Sequence, residues 1–146
     1  MSLYCAFIDF GTPEFDEALR LRYDVLRKPL NLEFDTEDIA KEYDSFHIAC
    51  YDQRSNELHG ILILKPIDDH TLKMRQVAVS ASAQSKGVGT FMVQASENFA
   101  TAKKYKKIEL HARKTAVDFY LKNGYSSEGD IFQEVGIDHQ AMYKVL

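Results

Sequence analysis

The order of elements along this 146-residue chain predicts an α+β fold, with a mixed, mostly antiparallel sheet and helices on both faces. Three observations predict it. Strand-like and helix-like runs follow one another as β-α-β-β-β-α-β-α-β-β, which is not a regular βαβ repeat. The three consecutive strands in the middle are separated only by short turns, which favours an antiparallel meander. A long amphipathic helix and a shorter one then alternate with the remaining strands, so helices are available to cover the sheet.

Each element has its own signal. Tyr4–Phe10 reads as a first strand, punctuated by Gly11-Thr12-Pro13. Thr12 suits a helix N-cap, Pro13 the first helical position and Glu14 the acidic first turn. Apolar residues Phe15, Ala18, Leu19, Leu21, Val25 and Leu26 carry a helix to about Arg27, and Pro29 stops it. Residues 30–45 hold Glu33, Asp35, Glu37, Asp38, Glu42 and Asp44. They read as a solvated loop with a helical turn, or as an acidic substrate-binding wall that attracts an amine.

The strand candidates Phe46–Tyr51, Glu57–Pro66 and His70–Val79 follow, divided by Asp52–Asn56 and Ile67–Asp69. Lys86 to about Lys104 is the long helix, with Val88, Phe91, Met92, Ala95, Phe99 and Ala102 on its expected inner face. Lys106–His111 is a strand, and Thr115–Lys122 a short helix stopped by Asn123-Gly124. Tyr125, Phe132 and Ala141–Val145 mark the closing extended pieces. No repeat, linker or low-complexity tract interrupts the chain, so one domain over 1–146 is expected.

Composition removes several function classes. Hydrophobic residues at 45% and charged residues at 27% are ordinary for a globular chain. A net charge of -4 lacks the basic footprint of nucleic-acid binders and leans weakly towards a cationic substrate. No apolar run reaches the length of a membrane span, and Met1-Ser2-Leu3 starts no signal peptide. Cys5 and Cys50 form no CxxC pair. Both are expected in strands, in a reducing, cytoplasmic compartment, without a disulfide framework. His47, His59, His70, His111 and His139 show no metal-ligand spacing, so no metal is expected.

The segment Met74–Thr90 carries the chemistry. A strand, a loop and a glycine-rich turn lead into the long helix. Helix N-termini present unpaired N–H groups and partial positive charge, and glycines let backbone approach an anion. Lys86 adds a cation. No GxxxxGK[ST] string occurs. Gly87 and Gly89 match part of a GxGxxG dinucleotide fingerprint, and Glu109 stands 20 residues on, where a ribose-binding acid would lie. Met92 occupies the third glycine's place, however, and the seven residues Ser80–Lys86 make the turn too long.

Gln84-x-x-Gly87-x-Gly89 resembles the Q/R-x-x-G-x-G/A signature of the GNAT superfamily of N-acetyltransferases. Val77-Ala78-Val79 before it, the long helix after it, and Ala116-x-x-Phe119-Tyr120-x-x-x-Gly124-Tyr125 resemble the same family. The closing Phe132-Gln133-Glu134-Val135-Gly136-Ile137-Asp138-His139 resembles the ElaA-like bacterial branch, with Asp138 in place of a proline. Arg113 also departs from the family's usual residue there.

The resemblance implies acetyl-CoA as acyl donor, a primary amine as acceptor, and direct transfer in a ternary complex. It implies that His70–Val79 and Lys106–His111 splay apart to admit the pantetheine arm. Val77, Ala78 and Val79 would meet that arm, and Gln84, Ser85, Lys86, Gly87, Val88, Gly89 and Thr90 the pyrophosphate. Tyr120 would protonate the leaving thiolate, or simply pack against the sheet. His111 is a candidate base or a structural histidine. Glu134 and His139 line the acceptor site or form a polar turn. A homodimer is common in the family. A non-catalytic acyl-CoA-binding module on the same fold is the alternative function.

Overall fold

The structure is a computed structural model that describes residues 2–146; Met1, the head of the tripeptide read for a leader, lies outside them. The strands are β1 (Leu3–Ile8), β2 (Phe46–Asp52), β3 (Leu58–Pro66), β4 (Thr71–Val79), β5 (Lys107–Arg113), β6 (Ser126–Glu134) and β7 (Ile137–Val145). The helices are α1 (Pro13–Arg22), α2 (Thr36–Ala40), α3 (Val88–Ala102) and α4 (Val117–Lys122). The strands make one sheet in the order β1-β2-β3-β4-β5-β7-β6. Every neighbouring pair is antiparallel except β4 and β5, which α3 joins as a parallel crossover.

The two faces of the sheet bury different sets of side chains. Leu62, Leu64, Leu72, Met74, Ile108 and Leu110 alternate along their strands towards α3. On the opposite face Ala49, Ile61 and Ala78 meet Ala18, Leu21, Val25 and Leu26 from the α1 region. The inner face of α3 is Val88, Met92, Val93, Ser96 and Ala100. The expected Phe91 and Ala102 are exposed instead. Ser96 is why the pattern misleads: its hydroxyl donates to the Val93 carbonyl at 2.6 Å, so a polar residue sits in the core with its bond made.

The first helix begins as expected. Thr12 accepts from the Phe15 amide at 3.3 Å and donates to the Asp9 carbonyl at 2.7 Å. That cap takes Asp9 and Phe10 out of the first strand. The run to Arg27 also holds, but its last turn, Tyr23–Arg27, widens to a π-helix. The stretch 30–45 is more ordered than an open loop. Asp35 caps α2 by accepting from the Glu37 amide at 2.9 Å, and a 3-10 turn covers Lys41–Asp44. Glu42 in that turn takes a bidentate pair from Arg22 of α1, at 2.7 and 2.8 Å, with both side chains buried.

Cys5 and Cys50 face each other across β1 and β2 as free thiols, Cys50 buried and Cys5 half-buried. No helix among the described residues is long and apolar enough to cross a membrane.

Candidate active site

The site begins where the parallel pair comes apart. β4 and β5 pair from Thr71↔Lys107 to Met74↔Leu110 and no further. Yet β4 continues to Val79 and β5 to Arg113, so a cleft opens between them. A bulge helps to open it. Gln76 takes a positive φ of 54°, and the β3–β4 register shifts by one between Ile61 and Ile63. That extra residue reverses the alternation: Leu72 and Met74 face α3 before the bulge, Val77 and Val79 after it.

Backbone parity beyond the bulge fixes which groups look into the cleft. The Ser80 amide donates to the His59 carbonyl at 2.8 Å, so those two residues form a hydrogen-bonded pair. Bonded pairs alternate along antiparallel strands, so Ala78 turns its backbone to Ile61 of β3. Val77 and Val79 therefore turn their N–H and C=O groups the other way, towards the cleft. Ala78 is the exception among the expected coenzyme residues: its backbone is committed to β3 and its side chain is buried under α1.

From Val79 the chain runs through a 3-10 turn at Ala81–Ala83, anchored by buried Ala83, into the start of α3. Gln84 Nε2 donates to the Val79 carbonyl at 3.1 Å, tying the loop to the strand. Ser85 and Gly87 both take the left-handed conformation, at φ 63° and 85°. Gly87 is the N-cap and has no side chain to bond the first turn, so no side chain caps α3. Its open N–H groups belong to a ready anion site. Ser85, Lys86 and Thr90 are exposed around it.

Two positions differ from their expected role. The Val88 side chain is buried in the core, so only its backbone is available to an anion. A Cβ at Gly89 would lie 3.1 Å from Phe119 Cζ, so Gly89 also lets α3 and α4 pack closely.

A cavity of about 650 Å³ fills the cleft on the side where β5, β7 and the α1 region converge. It brings together Val77, His111, Tyr120, Glu134 and His139, but not the residues 84–90, which lie beyond it at the start of α3. Tyr120 reaches the cavity from α4 and is buried, edge-on to Phe119 and Tyr125. Burial pushes its phenol well above the usual tyrosine pKa, so it is protonated at neutral pH.

Glu134 stands between the two histidines. Its carboxylate is 3.2 Å from His111 Nδ1 and 3.5 Å from His139 Nε2. The Ile137 carbonyl can only accept, so His139 Nδ1 carries a proton and donates to it at 2.9 Å. By the same logic a carboxylate selects the Nδ1–H form of His111, which leaves Nε2 as a free lone pair. Phe132 lies edge-on to His111, at 4.9 Å between centroids, and stacks on His139. Glu109, on the same strand face as His111, pairs with Lys107 and lies outside the cavity.

The sign of the cavity reverses the expectation drawn from the acidic stretch. Of the six acids in residues 30–45 only Asp38 reaches it, while Glu42 is bound to Arg22. Arg27, Lys41, Lys65, Lys73, Arg75 and Arg113 line it, against the carboxylates of Asp38 and Glu134. The arginines form a group only in the fold. Their signal was present in the alternation Lys73-x-Arg75 and His111-x-Arg113, which places each pair on one face of its strand. No group of metal-ligating side chains occurs among the described residues.

A splayed parallel pair in a mixed sheet, with an uncapped glycine-led helix beside it, is the arrangement that the resemblance to N-acetyltransferases implies. The comparisons make that specific. The family model for an acetyltransferase (GNAT) domain matches residues 25–146, and the chain belongs to this family of acetyltransferases. It is 32% identical over 141 residues to YjcF of Bacillus subtilis (strain 168), described as an uncharacterized N-acetyltransferase, covering 95% of this chain and 98% of that one.

In fold it is similar to a Lactobacillus plantarum protein classed among the N-acetyltransferases, with a TM-score of 0.86 at 23% identity, covering 100% and 99% of the two chains. A GNAT family acetyltransferase from Elizabethkingia anophelis, solved with acetyl-CoA bound, gives 0.74 at 20% identity and 99% coverage of both.

Proposed function

We propose that the chain transfers the acetyl group of acetyl-CoA directly to a primary amine bound in the cavity. The observation that carries this is the convergence of Tyr120 with the Glu134–His111 pair on one cleft. Val77 and Val79 offer their cleft-facing backbone groups to the amides of the pantetheine arm, as an added strand. The open N–H groups at the start of α3, with Gln84, Ser85, Lys86, Gly87, Gly89 and Thr90 around them, hold the pyrophosphate.

Bound acetyl-CoA supplies an activated thioester, and the protein moves two protons. His111 Nε2 takes the proton lost by the amine nitrogen as the C–N bond forms, and Glu134 stabilises the resulting imidazolium. His139 is fixed by its Nδ1–H bond to the Ile137 carbonyl, and its ring packs beside Glu134 and Phe132. Tyr120 gives its proton to the thiolate as the C–S bond breaks. The products are the amide and CoA thiol. No side chain is acylated.

A calorimetric titration of acetyl-CoA, followed by thiol release across an amine panel, tests the reading. Binding with amine-dependent release is expected. Release without amine, or a stable acetyl-enzyme by intact mass, would refute direct transfer.

A further inference from the structure

The least explained feature of the cavity is its arginines. Lys73 and Arg75 alternate with buried Leu72 and Met74, so they project from the sheet face opposite α3. His111 and Arg113 alternate with Leu110 and Ala112 in the same way. Arg27 arrives at this face from the π-helical turn that ends the first helix.

Arg22 next to them has a full carboxylate partner in Glu42, and Arg113 spends one N–H on the Leu26 carbonyl at 3.0 Å. Among the described residues, Arg27 and Arg75 have no carboxylate within ion-pair distance, and Arg27 Nε is buried without an acceptor. Arg22 and Phe34 wall in Arg27 behind, the Phe34 ring lying 5.9 Å from its guanidinium. Burial, and repulsion from Arg22 and Arg75, lower the Arg27 pKa, and the attraction of Asp38 and Glu42 offsets this only in part. Guanidinium groups in such a cluster suit bidentate binding of a carboxylate or phosphate.

The coenzyme's own phosphates are poorly placed to be that anion. They belong at the start of α3, which packs on the other face of the sheet, and none of residues 84–90 lines this cavity. Resting on the acetyltransfer proposed above, the geometry points to an acceptor that carries an anionic group, a carboxylate or a phosphate, on the same small molecule as its amine. Arg75 binds that group with Arg27 and Arg113 while the amine faces His111. His111 and Arg113 are two residues apart on one strand, a rise of roughly 7 Å, so amine and anion are separated by a few bonds. The three arginines thus determine specificity.

The test uses matched amines differing only in charge. The carboxylate arm compares 6-aminohexanoate with hexylamine, and L-alanine with L-alaninamide. The phosphate arm compares O-phosphoethanolamine with ethanolamine. Thiol release should give at least one anionic twin a kcat/KM about 10–100-fold above its neutral partner, the scale of a charge-assisted hydrogen-bonded pair. Whichever arm shows the preference identifies the anion. In Arg75→Gln the ratio should fall towards one through KM for the anionic twin. In Arg75→Glu it should invert in favour of 1,6-diaminohexane. The coenzyme Kd of both variants should stay at the wild-type value.

Equal turnover of the twins, a ratio that survives Arg75→Gln, or a tenfold loss of acetyl-CoA affinity in that variant would each overturn the assignment. Calorimetry of the same twins into CoA-loaded protein separates this inference from the transfer reaction. Anionic twins that bind more tightly, with the difference abolished by Arg75→Gln, would uphold the anion site even if no acetyl group moved. Twins that bind alike, or not at all, would reject it.

Discussion

At the residue scale the proposed transfer is a matter of two protons. Burial holds the Tyr120 phenol above its ordinary pKa, so it stays protonated at neutral pH. The same shift bears on stability. The unfolded chain loses the Tyr120 proton near the ordinary value of about 10, while the folded chain keeps it. Above that pH the unfolded state binds fewer protons, so stability is present below about pH 10 and lost as pH rises beyond it. The melting temperature should therefore fall above about pH 10, and less steeply in Tyr120→Phe. Equal slopes would mean that the phenol is solvated.

Tyr120, Glu134 and His139 were legible as candidates because each stood in a string with a recognisable pattern, and His111 because it ends the strand expected to splay. Their arrangement was not legible. Nothing in the spacing says that Glu134 lies between two histidines, since that depends on the β6–β7 hairpin curling over the end of β5. Glu134→Gln should lower kcat roughly 10-fold to 100-fold while leaving coenzyme affinity unchanged, because it removes the carboxylate that orients His111. An unchanged kcat would release Glu134 from that role.

At the element scale the splay of β4 and β5 is produced by local choices. The bulge at Gln76 reverses the facing of β4, and the Ser80–His59 pair sets which carbonyls and amides enter the cleft. Strand existence was legible from turn residues, but a bulge of this kind leaves no mark on hydropathy. The inner face of α3 was misread for a related reason: Ser96 satisfies itself and hides in the core.

Gly89 carries two constraints at once, the approach of an anion and the 3.1 Å distance from its would-be Cβ to Phe119. Gly89→Val should displace Phe119 and with it α4, costing about 1–3 kcal/mol of stability in a thermal melt. It should also weaken acetyl-CoA binding roughly tenfold, equivalent to about 1.4 kcal/mol. Wild-type affinity in that variant would show that the helix start does not hold the coenzyme. The Arg22–Glu42 pair is the other joint, linking α1 to the 3-10 turn at Lys41–Asp44. Glu42→Ala strands a buried guanidinium and should cost about 3–5 kcal/mol by denaturant titration. A loss under 1 kcal/mol would mean that water reaches the pair readily.

At the scale of the whole molecule, net charge proved a poor guide to the site. The chain is acidic at -4, yet its cavity gathers six cations against two carboxylates. The other acids lie outside the cavity, Glu42 among them in its buried pair with Arg22, and only folding separates the two populations. Fold class was the most legible property, because element order and the coenzyme loop are local features of the sequence. Acceptor chemistry was the least legible, because it is written by residues as far apart as Arg27, Arg75 and Arg113.

The central claim is that this cleft transfers an acetyl group with Tyr120 as the acid. The most direct measurement is amine-dependent CoA release by the wild type and Tyr120→Phe, with the acetyl-CoA Kd of each determined by calorimetry. The account predicts equal Kd values and a kcat lowered about 10²–10⁴-fold in the variant. Equal kcat values, or no acetyl-CoA binding by the wild type, would contradict it.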